Sequence, residues 1–116
     1  MSLESVRQYC LSLPHATEQV QWGNDLLFKV AGKMFAVAPL EPAPVFLSFK
    51  CTLENFAELT ERPGIRPAAY MARNHWISLE REDALPARET KVLLRQSYDL
   101  VFAKLPKKVQ SELLRR

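Results

Sequence analysis

The feature that most constrains the fold is a pair of short β-like runs around one glycine. Residues 26–30 and 34–38 are rich in strand-forming residues, and only Ala31-Gly32-Lys33 separates them. Such a short, glycine-containing connection is typical of an antiparallel β-hairpin. The chain is therefore expected to contain an antiparallel sheet. Lys29 lies on one face of the first strand, and the other face carries Leu26, Phe28 and Val30.

Further strands are predicted on both sides of this hairpin. Residues 19–22 form a short strand before the turn Gly23-Asn24-Asp25. Residues 39–44 are proline-rich and form a loop, because proline removes a backbone donor, and the alternation over residues 45–50 predicts another strand. Two more strands, at residues 68–72 and 75–80, form a second hairpin around Arg73-Asn74.

Helices are predicted before, between and after these strands. The first spans residues 2–13, between the capping Ser2 and Pro14. The second follows Thr52 and directs Leu53, Phe56 and Leu59 inward. The third begins near Pro86 and runs to about Lys104, and a short helix follows Pro106. The residues of the third helix that face the core are Leu94, Tyr98, Val101 and Leu105.

The order of these elements defines the fold class. One helix, three or four strands, a helix, two strands and a helix predict an α+β two-layer sandwich, with an antiparallel sheet and helices on one face. The chain has 116 residues, of which 47% are hydrophobic and 25% charged, and this suits a single domain over residues 1–116.

Several features of the sequence indicate where in the cell the protein is expected. No apolar run approaches the roughly 20 residues of a membrane span, and no basic segment followed by an apolar stretch begins the chain. Cys10 and Cys51 are isolated, which is typical of buried, reduced thiols. We therefore expect a cytoplasmic protein that is a monomer or weak dimer and does not contact membranes.

Motifs for catalysis or metal binding are scarce. His15 and His75 are the two histidines, and neither has Cys, Asp or His three or four residues further along the chain. There is no G-x-S-x-G sequence, and three scattered glycines cannot build a phosphate-binding loop. We therefore expect no enzyme activity, no metal and no cofactor, although a pair of carboxylates brought together by the fold would leave no sequence signal.

Charge and aromatic residues give the remaining clues from composition. The net charge is +3, and the excess lies at the C-terminal end, where Glu112 alone opposes five basic residues. Trp22 and Trp76 each border a predicted turn, where a tryptophan either packs in the core or offers a stacking surface for bases. The basic residues of this end are Lys104, Lys107, Lys108, Arg115 and Arg116.

An ordered set of short sequences resembles the MmcQ/YjbR family. None is specific alone, but together they cover nearly the whole chain. They are Tyr9 with Leu11-Ser12-Leu13-Pro14; Trp22-Gly23; Phe28-Lys29-Val30 with Gly32-Lys33-Met34-Phe35-Ala36; Pro63-Gly64-Ile65-Arg66-Pro67-Ala68; His75-Trp76-Ile77; and Ser97-Tyr98-Asp99-Leu100-Val101 with Lys104-Leu105-Pro106-Lys107-Lys108.

The resemblance implies a fold similar to secretion chaperones and frataxin-like proteins. It also implies a DNA-binding role in which two β-hairpins act as a double wing. On this chain the first hairpin carries Lys29 on its outer face and Lys33 at its tip. The second carries Arg73 at its tip, with Asn74 and His75 beside it. Phosphate contacts are expected from these residues and from the basic stretch Lys104, Lys107 and Lys108.

Two alternatives remain open. A protein-interaction or chaperone-like module would use the sheet face or an edge strand. A frataxin-like metal role would need an acidic ridge on the first helix, which here offers only Glu4 beside Arg7. The spatial arrangement of the basic residues distinguishes the nucleic-acid hypothesis from the protein-interaction hypothesis. One contiguous basic surface favours nucleic acid, whereas scattered charges with an apolar groove favour a protein partner.

Overall fold

The structure is a computed structural model that describes residues 1–115. Within this range the chain alternates between helices, which we label α1 to α4, and strands, which we label β1 to β6. A 3₁₀ turn at Ala72–Asn74 lies between β5 and β6. The elements are α1 Leu3–Ser12, β1 Ala16–Gln21, β2 Asp25–Val30, β3 Lys33–Pro39, β4 Leu47–Lys50, α2 Leu53–Leu59, β5 Ile65–Pro67, β6 Trp76–Leu79, α3 Ala87–Ala103 and α4 Lys107–Leu114.

The six strands form one sheet in the order β1-β2-β3-β4-β6-β5. Every neighbouring pair is antiparallel. The helices pack on one face, where they cover the largest buried side chains. The predicted α+β two-layer sandwich with an antiparallel sheet is therefore confirmed.

Local sequence explains the ends of the first two helices. Ser2 Oγ accepts a hydrogen bond from the amide of Ser5 at 3.1 Å and caps α1. Thr52 Oγ1 accepts from the amide of Asn55 at 3.1 Å and caps α2 in the same way. Each bond satisfies one of the amides that a helix N-terminus leaves without a partner. The predicted positions of both caps are confirmed.

A β-bulge between β2 and β3 shapes the main core. Phe28 lies opposite Ala36, but the next residue, Lys29, lies opposite Met34, so Phe35 is the extra residue. Phe35 turns fully into the core and makes an edge-to-face contact with Tyr98 of α3 at 5.4 Å between ring centroids. The bulge thereby adds a large aromatic side chain to the face that the helices cover.

Ser97 ties α3 to two strands at the bulge. Its hydroxyl donates to the carbonyl of Phe35 at 2.7 Å and accepts from the amide of Lys50 at 3.0 Å. Tyr98 adds a third link, because its hydroxyl donates to the carbonyl of Pro14 at 2.6 Å. Buried backbone groups that the irregular sheet leaves open are thus satisfied by side chains of α3.

Several predicted boundaries need correction. The strand β1 begins at Ala16 rather than at residue 19, and residues 45 and 46 belong to the loop before β4. Leu53, the first residue of α2, does not face inward: its side chain is 61% exposed. Both thiols, by contrast, are free and buried as expected.

The largest correction concerns the second hairpin. The strand β5 occupies residues 65–67 and not 68–72, and a long connection joins it to β6. Pairing stops because the chain folds back on itself: the amide of Met71 bonds to the carbonyl of Ala68, and that of Trp76 bonds to the carbonyl of Met71. A tight turn at Arg73-Asn74 is therefore wrong, although β5 and β6 are antiparallel neighbours.

Among residues 1–115, no helix packs on the opposite face of the sheet. A small second cluster lies there, formed by Leu27, Val37, Ala68 and Trp76, with Met34 and Met71 packed against it. Two loops, residues 40–46 and residues 68–75, border this cluster. No helix within residues 1–115 is long and apolar enough to cross a membrane.

Candidate nucleic-acid interface

One end of the sheet gathers two lysines from different strands. Lys33 begins β3 immediately after the β2–β3 turn, and Lys50 ends β4. Because Ala36 lies opposite Phe49 in the antiparallel β3–β4 pair, the end of β4 points toward the start of β3. Lys33 and Lys50 therefore lie at the same end of the sheet.

The connection between β5 and β6 reaches this end as well. Lys50 lies opposite Trp76 at the start of β6, and Arg73, Asn74 and His75 immediately precede Trp76. The carbonyl of His75 accepts from the amide of Cys51 at 2.9 Å, which fixes this connection next to the end of β4.

The C-terminal end of α3 completes the cluster. Ser97 touches Lys50 and Phe35, so the last turns of α3 extend beyond the end of these strands. The pKa of Lys50 is lowered, first because its side chain is partly desolvated and second because the Lys104 ammonium lies beside it. Two cations from distant parts of the chain are thus placed side by side, and neither forms an ion pair within residues 1–115.

The last helix continues along the same end. Lys107 and Lys108 form the first turn of α4, and Gln110 Nε2 donates to the carbonyl of Leu105 at 2.8 Å across the α3–α4 corner. At its far end, the carbonyl of Leu113 contacts His15 Nε2 at 2.9 Å, next to β1. We call the six cations at this end of the sheet the basic end: Lys33, Lys50, Arg73, Lys104, Lys107 and Lys108.

The cations of the basic end contrast with the ion-paired arginines of the described chain. Five arginines elsewhere on the described chain bind carboxylates within 4 Å, and the bidentate Arg7–Glu18 pair at 2.6 Å is the shortest. None of the six cations of the basic end forms an ion pair within residues 1–115. Glu54 in α2 and Glu112 in α4 are carboxylates of neighbouring segments, yet neither is paired with these cations.

The predicted contact residues divide into two groups. Lys33, Arg73, Asn74, Lys104, Lys107 and Lys108 lie exposed at the basic end. Lys29 is different: it is half-buried, and its Nζ donates to Gln19 Oε1 at 2.6 Å on β1. His75 is also half-buried, with its ring 5.7 Å from the ring of Phe56 on α2. Sequence reasoning missed Lys50, because only the fold brings it next to Lys104.

The two hairpins do not have the same shape. The β2–β3 turn is tight, with positive φ at Ala31 (50°) and Gly32 (78°), as a two-residue turn matched to sheet twist requires. The β5–β6 connection contains a 3₁₀ turn and left-handed residues at Tyr70 and His75. The first hairpin is therefore closed by a two-residue turn, and the second by the irregular connection over residues 68–75.

An apolar groove lies on the face of the sheet that has no helix. Its cavity of about 840 Å³ has Met34, Val37, Ser48 and Ser78 on its floor. One wall is the segment from Arg66 to Met71, and the other includes Trp22, Asp25, Pro39 and the loop residues Ala43 and Val45. We call this the open-face groove.

Two exposed aromatic side chains border the groove. Trp22 is 64% exposed and Tyr70 is fully exposed, whereas Trp76 is buried beneath the face. Both exposed residues have positive φ, 54° at Trp22 and 66° at Tyr70, a conformation that costs a bulky L-residue roughly 1–2 kcal/mol. The sequence had singled out Trp22, but Tyr70 carried no signal because it fell within a predicted strand.

The groove has few polar side chains, and hydrogen bonds or ion pairs hold several of them in place. Ser48 and Ser78 share a buried hydrogen bond of 2.6 Å between their hydroxyls. Arg66 lies 3.7 Å from Glu80 and donates to the carbonyl of Pro44 at 3.4 Å, which links the wall to the 40–46 loop. Asp25 is the acidic residue of the lining. Among residues 1–115, no three His, Cys, Asp or Glu side chains are grouped to hold a metal ion.

These features define the class of protein: an α+β domain with a helix-covered sheet, a cationic end and an apolar open face. The chain matches the family described as YjbR over residues 11–100, and it belongs to that family. No curated protein matches it.

Two solved structures share the fold. A Deinococcus radiodurans protein with the domain DUF419 is 31% identical, with a TM-score of 0.87 over 97% of this chain and 87% of that one. A Pseudomonas syringae protein solved by a structural genomics consortium is 23% identical, with a TM-score of 0.70 over 86% of this chain and 98% of that one. The second likeness concerns the fold alone.

Proposed function

We propose that this protein binds nucleic acid through its basic end, without catalysis. The observation that carries the proposal is the gathering of six cations from four separate segments at one end of the sheet, none of them ion-paired within the described residues. Lysine and arginine side chains that are free of carboxylates are available to neutralise phosphates.

The Lys50–Lys104 contact adds a physical reason for an anion. Two neighbouring ammonium groups repel each other, and this repulsion helps to lower the pKa of Lys50. A phosphate oxygen between or beside them would replace repulsion by attraction. The basic end is thus a surface whose electrostatic energy falls when a polyanion binds.

A protein-interaction or chaperone-like module is the second candidate, supported by the open-face groove. The two edges of the sheet differ. At one edge, β5 has three residues and ends in Pro67, and proline cannot donate to an added strand. At the other, β1 has six residues, and its polar Thr17, Gln19 and Gln21 lie on the face without a helix and leave the edge backbone open. A peptide partner would therefore use the open-face groove or the edge of β1.

The test is a salt titration of binding to a labelled DNA duplex of random sequence. With three to five phosphate contacts, log K should fall against log[salt] with a slope of about −3 to −4.5, and Kd should lie on the order of 10⁻⁴–10⁻⁶ M at physiological salt. The double variant Lys33→Ala/Arg73→Ala should flatten the slope by about two units, because two contacts are lost.

The matched control removes the same charge from another part of the surface. Arg88 and Lys91 lie exposed in the first turns of α3, away from the basic end, and neither is ion-paired in the described chain. Arg88→Ala/Lys91→Ala should leave the slope nearly unchanged. Equal slopes for both double variants, or no binding by the parent at low salt, would refute the proposal.

A further inference from the structure

The open-face groove adjoins the basic end. Met34 on its floor follows Lys33 directly, and Met71 on its wall lies two residues before Arg73. A polyanion held at the basic end therefore reaches the mouth of an apolar, partly aromatic channel. The groove then follows the strands toward Trp22 and Asp25, at the opposite end of β2.

We propose that the open-face groove takes the unpaired bases of a single-stranded nucleic acid that enters from the basic end, where its first phosphates bind, with Tyr70 and Trp22 as stacking platforms at the near and far ends of the groove. This inference rests on the proposed function and names its substrate class. Bases are flat, apolar on their faces and polar on their edges, and single-strand-binding proteins hold them on aromatic side chains beside a cationic track.

The two aromatic residues fit this role better than a role in folding. Neither ring is covered, so neither contributes its burial to stability, and both residues have a left-handed backbone that glycine adopts more readily. The positive φ of Trp22 belongs to the tight turn between β1 and β2, and that of Tyr70 to the connection between β5 and β6, but neither turn requires an aromatic side chain. Tyr70 borders the wall near Met71, and Trp22 borders the opposite wall.

Charge explains the direction in which a strand would lie. The cations are at one end, where the first phosphates bind, and Asp25 is near the other. A carboxylate repels phosphate but accepts hydrogen bonds from the exocyclic amino groups of bases. Arg66 supplies one further cation on the wall. The groove is about as long as β2, roughly 20 Å at 3.3 Å per residue, which suits the lower end of the roughly 4–16 nucleotides that such sites cover.

The experiment compares three probes of equal length: d(T)12, an abasic oligodeoxynucleotide with the same number of phosphates, and a duplex. Stacking predicts that d(T)12 binds at least tenfold more tightly than the abasic strand, since each stacked base contributes about 1–3 kcal/mol. The fluorescence of the exposed Trp22 should fall when d(T)12 binds and stay unchanged with the abasic strand.

Variants assign the effect to the two rings. Trp22→Gly/Tyr70→Gly keeps the left-handed backbone available and should reduce the affinity for d(T)12 to that for the abasic strand. Trp22→Phe/Tyr70→Phe should restore most of it, because phenylalanine also stacks. Leu53→Ala/Val92→Ala removes two exposed apolar side chains elsewhere and should change neither affinity.

The outcomes separate the two proposals. If d(T)12 and the abasic strand bind equally and the glycine variant changes neither, the groove does not take bases. That result overturns this inference, favours a peptide on the open face, and leaves the basic end standing. If no probe binds at low salt, the proposed function fails as well.

Discussion

The two faces of the sheet differ in how they exclude water. On one face the helices bury most of the large side chains, and Phe28, Phe35 and Leu94 are fully enclosed. On the other face four buried residues form a thin cluster, and beyond it the groove is open to solvent. The first face therefore supplies the stability of the fold, and the second keeps apolar surface available for a ligand.

Thiol reactivity gives the sharpest test of the closed face. Burial raises the pKa of both Cys10 and Cys51 to about 12, and both belong to the main core. Because an ordinary thiol has a pKa near 8.5, the thiolate fraction at pH 8 should fall on the order of 10³-fold. A thiol reagent should therefore modify the native protein slowly and the urea-unfolded protein at once. Rapid labelling of the native protein would mean that this face is open.

Truncation of one buried aliphatic side chain on each face compares the packing of the two faces. Leu94 in α3 is fully buried, so Leu94→Ala should lower the free energy of unfolding by about 2–5 kcal/mol. Val37→Ala on the open face removes fewer methylenes and should cost about 1–2 kcal/mol. Urea denaturation measures both changes. Equal losses for the two variants would contradict the assignment of stability to the helix-covered face.

Hydroxyl removal compares the polar links of the two faces. Ser97→Ala leaves the buried carbonyl of Phe35 and the amide of Lys50 without a partner, and should cost about 1–3 kcal/mol. Ser48→Ala/Ser78→Ala removes both partners of one bond, which is nearly neutral in such cases. Thermal denaturation should rank them in this order. A larger effect of the double variant would show that the groove floor also stabilises the fold.

The sequence predicts best where the determinants are local. The β2–β3 turn needs only Ala31 and Gly32 with positive φ, and the α1 cap needs only Ser2 and Ser5. Both were predicted from neighbouring residues.

Features set by distant contacts were not predictable. The bulge at Phe35 depends on a ring and a hydroxyl from α3, about sixty residues further along the chain. The fold of residues 68–75 depends on bonds between their own carbonyls and Trp76, which oppose a simple hairpin.

The candidate site shows the same division. Lys33, Arg73 and the lysines after α3 were expected from composition and turn position, but their meeting at one end follows from strand register. The Lys50–Lys104 contact joins residues that are far apart in sequence, and Tyr70 lay inside a predicted strand. The proposed interface therefore combines charges visible in the sequence with a geometry that only the fold provides.

Substitution of Lys50 is expected to have the smallest effect on stability, and it tests the basic end. Its pKa is lowered by partial desolvation and by Lys104, so the folded protein holds its proton less tightly than the unfolded chain does. Stability should therefore rise with pH between the lowered folded-state pKa and the unfolded value near 10.5, because the unfolded chain binds more protons in that window. Lys50→Met removes the charge and should stabilise the fold at pH 7 by less than about 1 kcal/mol.

The stabilisation by Lys50→Met should shrink as pH rises through that window, and it should become a destabilisation relative to the parent when a polyanion is present. Heparin, a soluble polyanion, should raise the melting temperature of the parent more than that of Lys50→Met, since the parent keeps both ammonium groups. Lys91→Met is the matched control, because Lys91 is an exposed lysine of α3 outside the basic end. A stabilising effect of Lys50→Met that heparin leaves unchanged would show that the Lys50–Lys104 pair is packed for the fold alone and contributes nothing to anion binding.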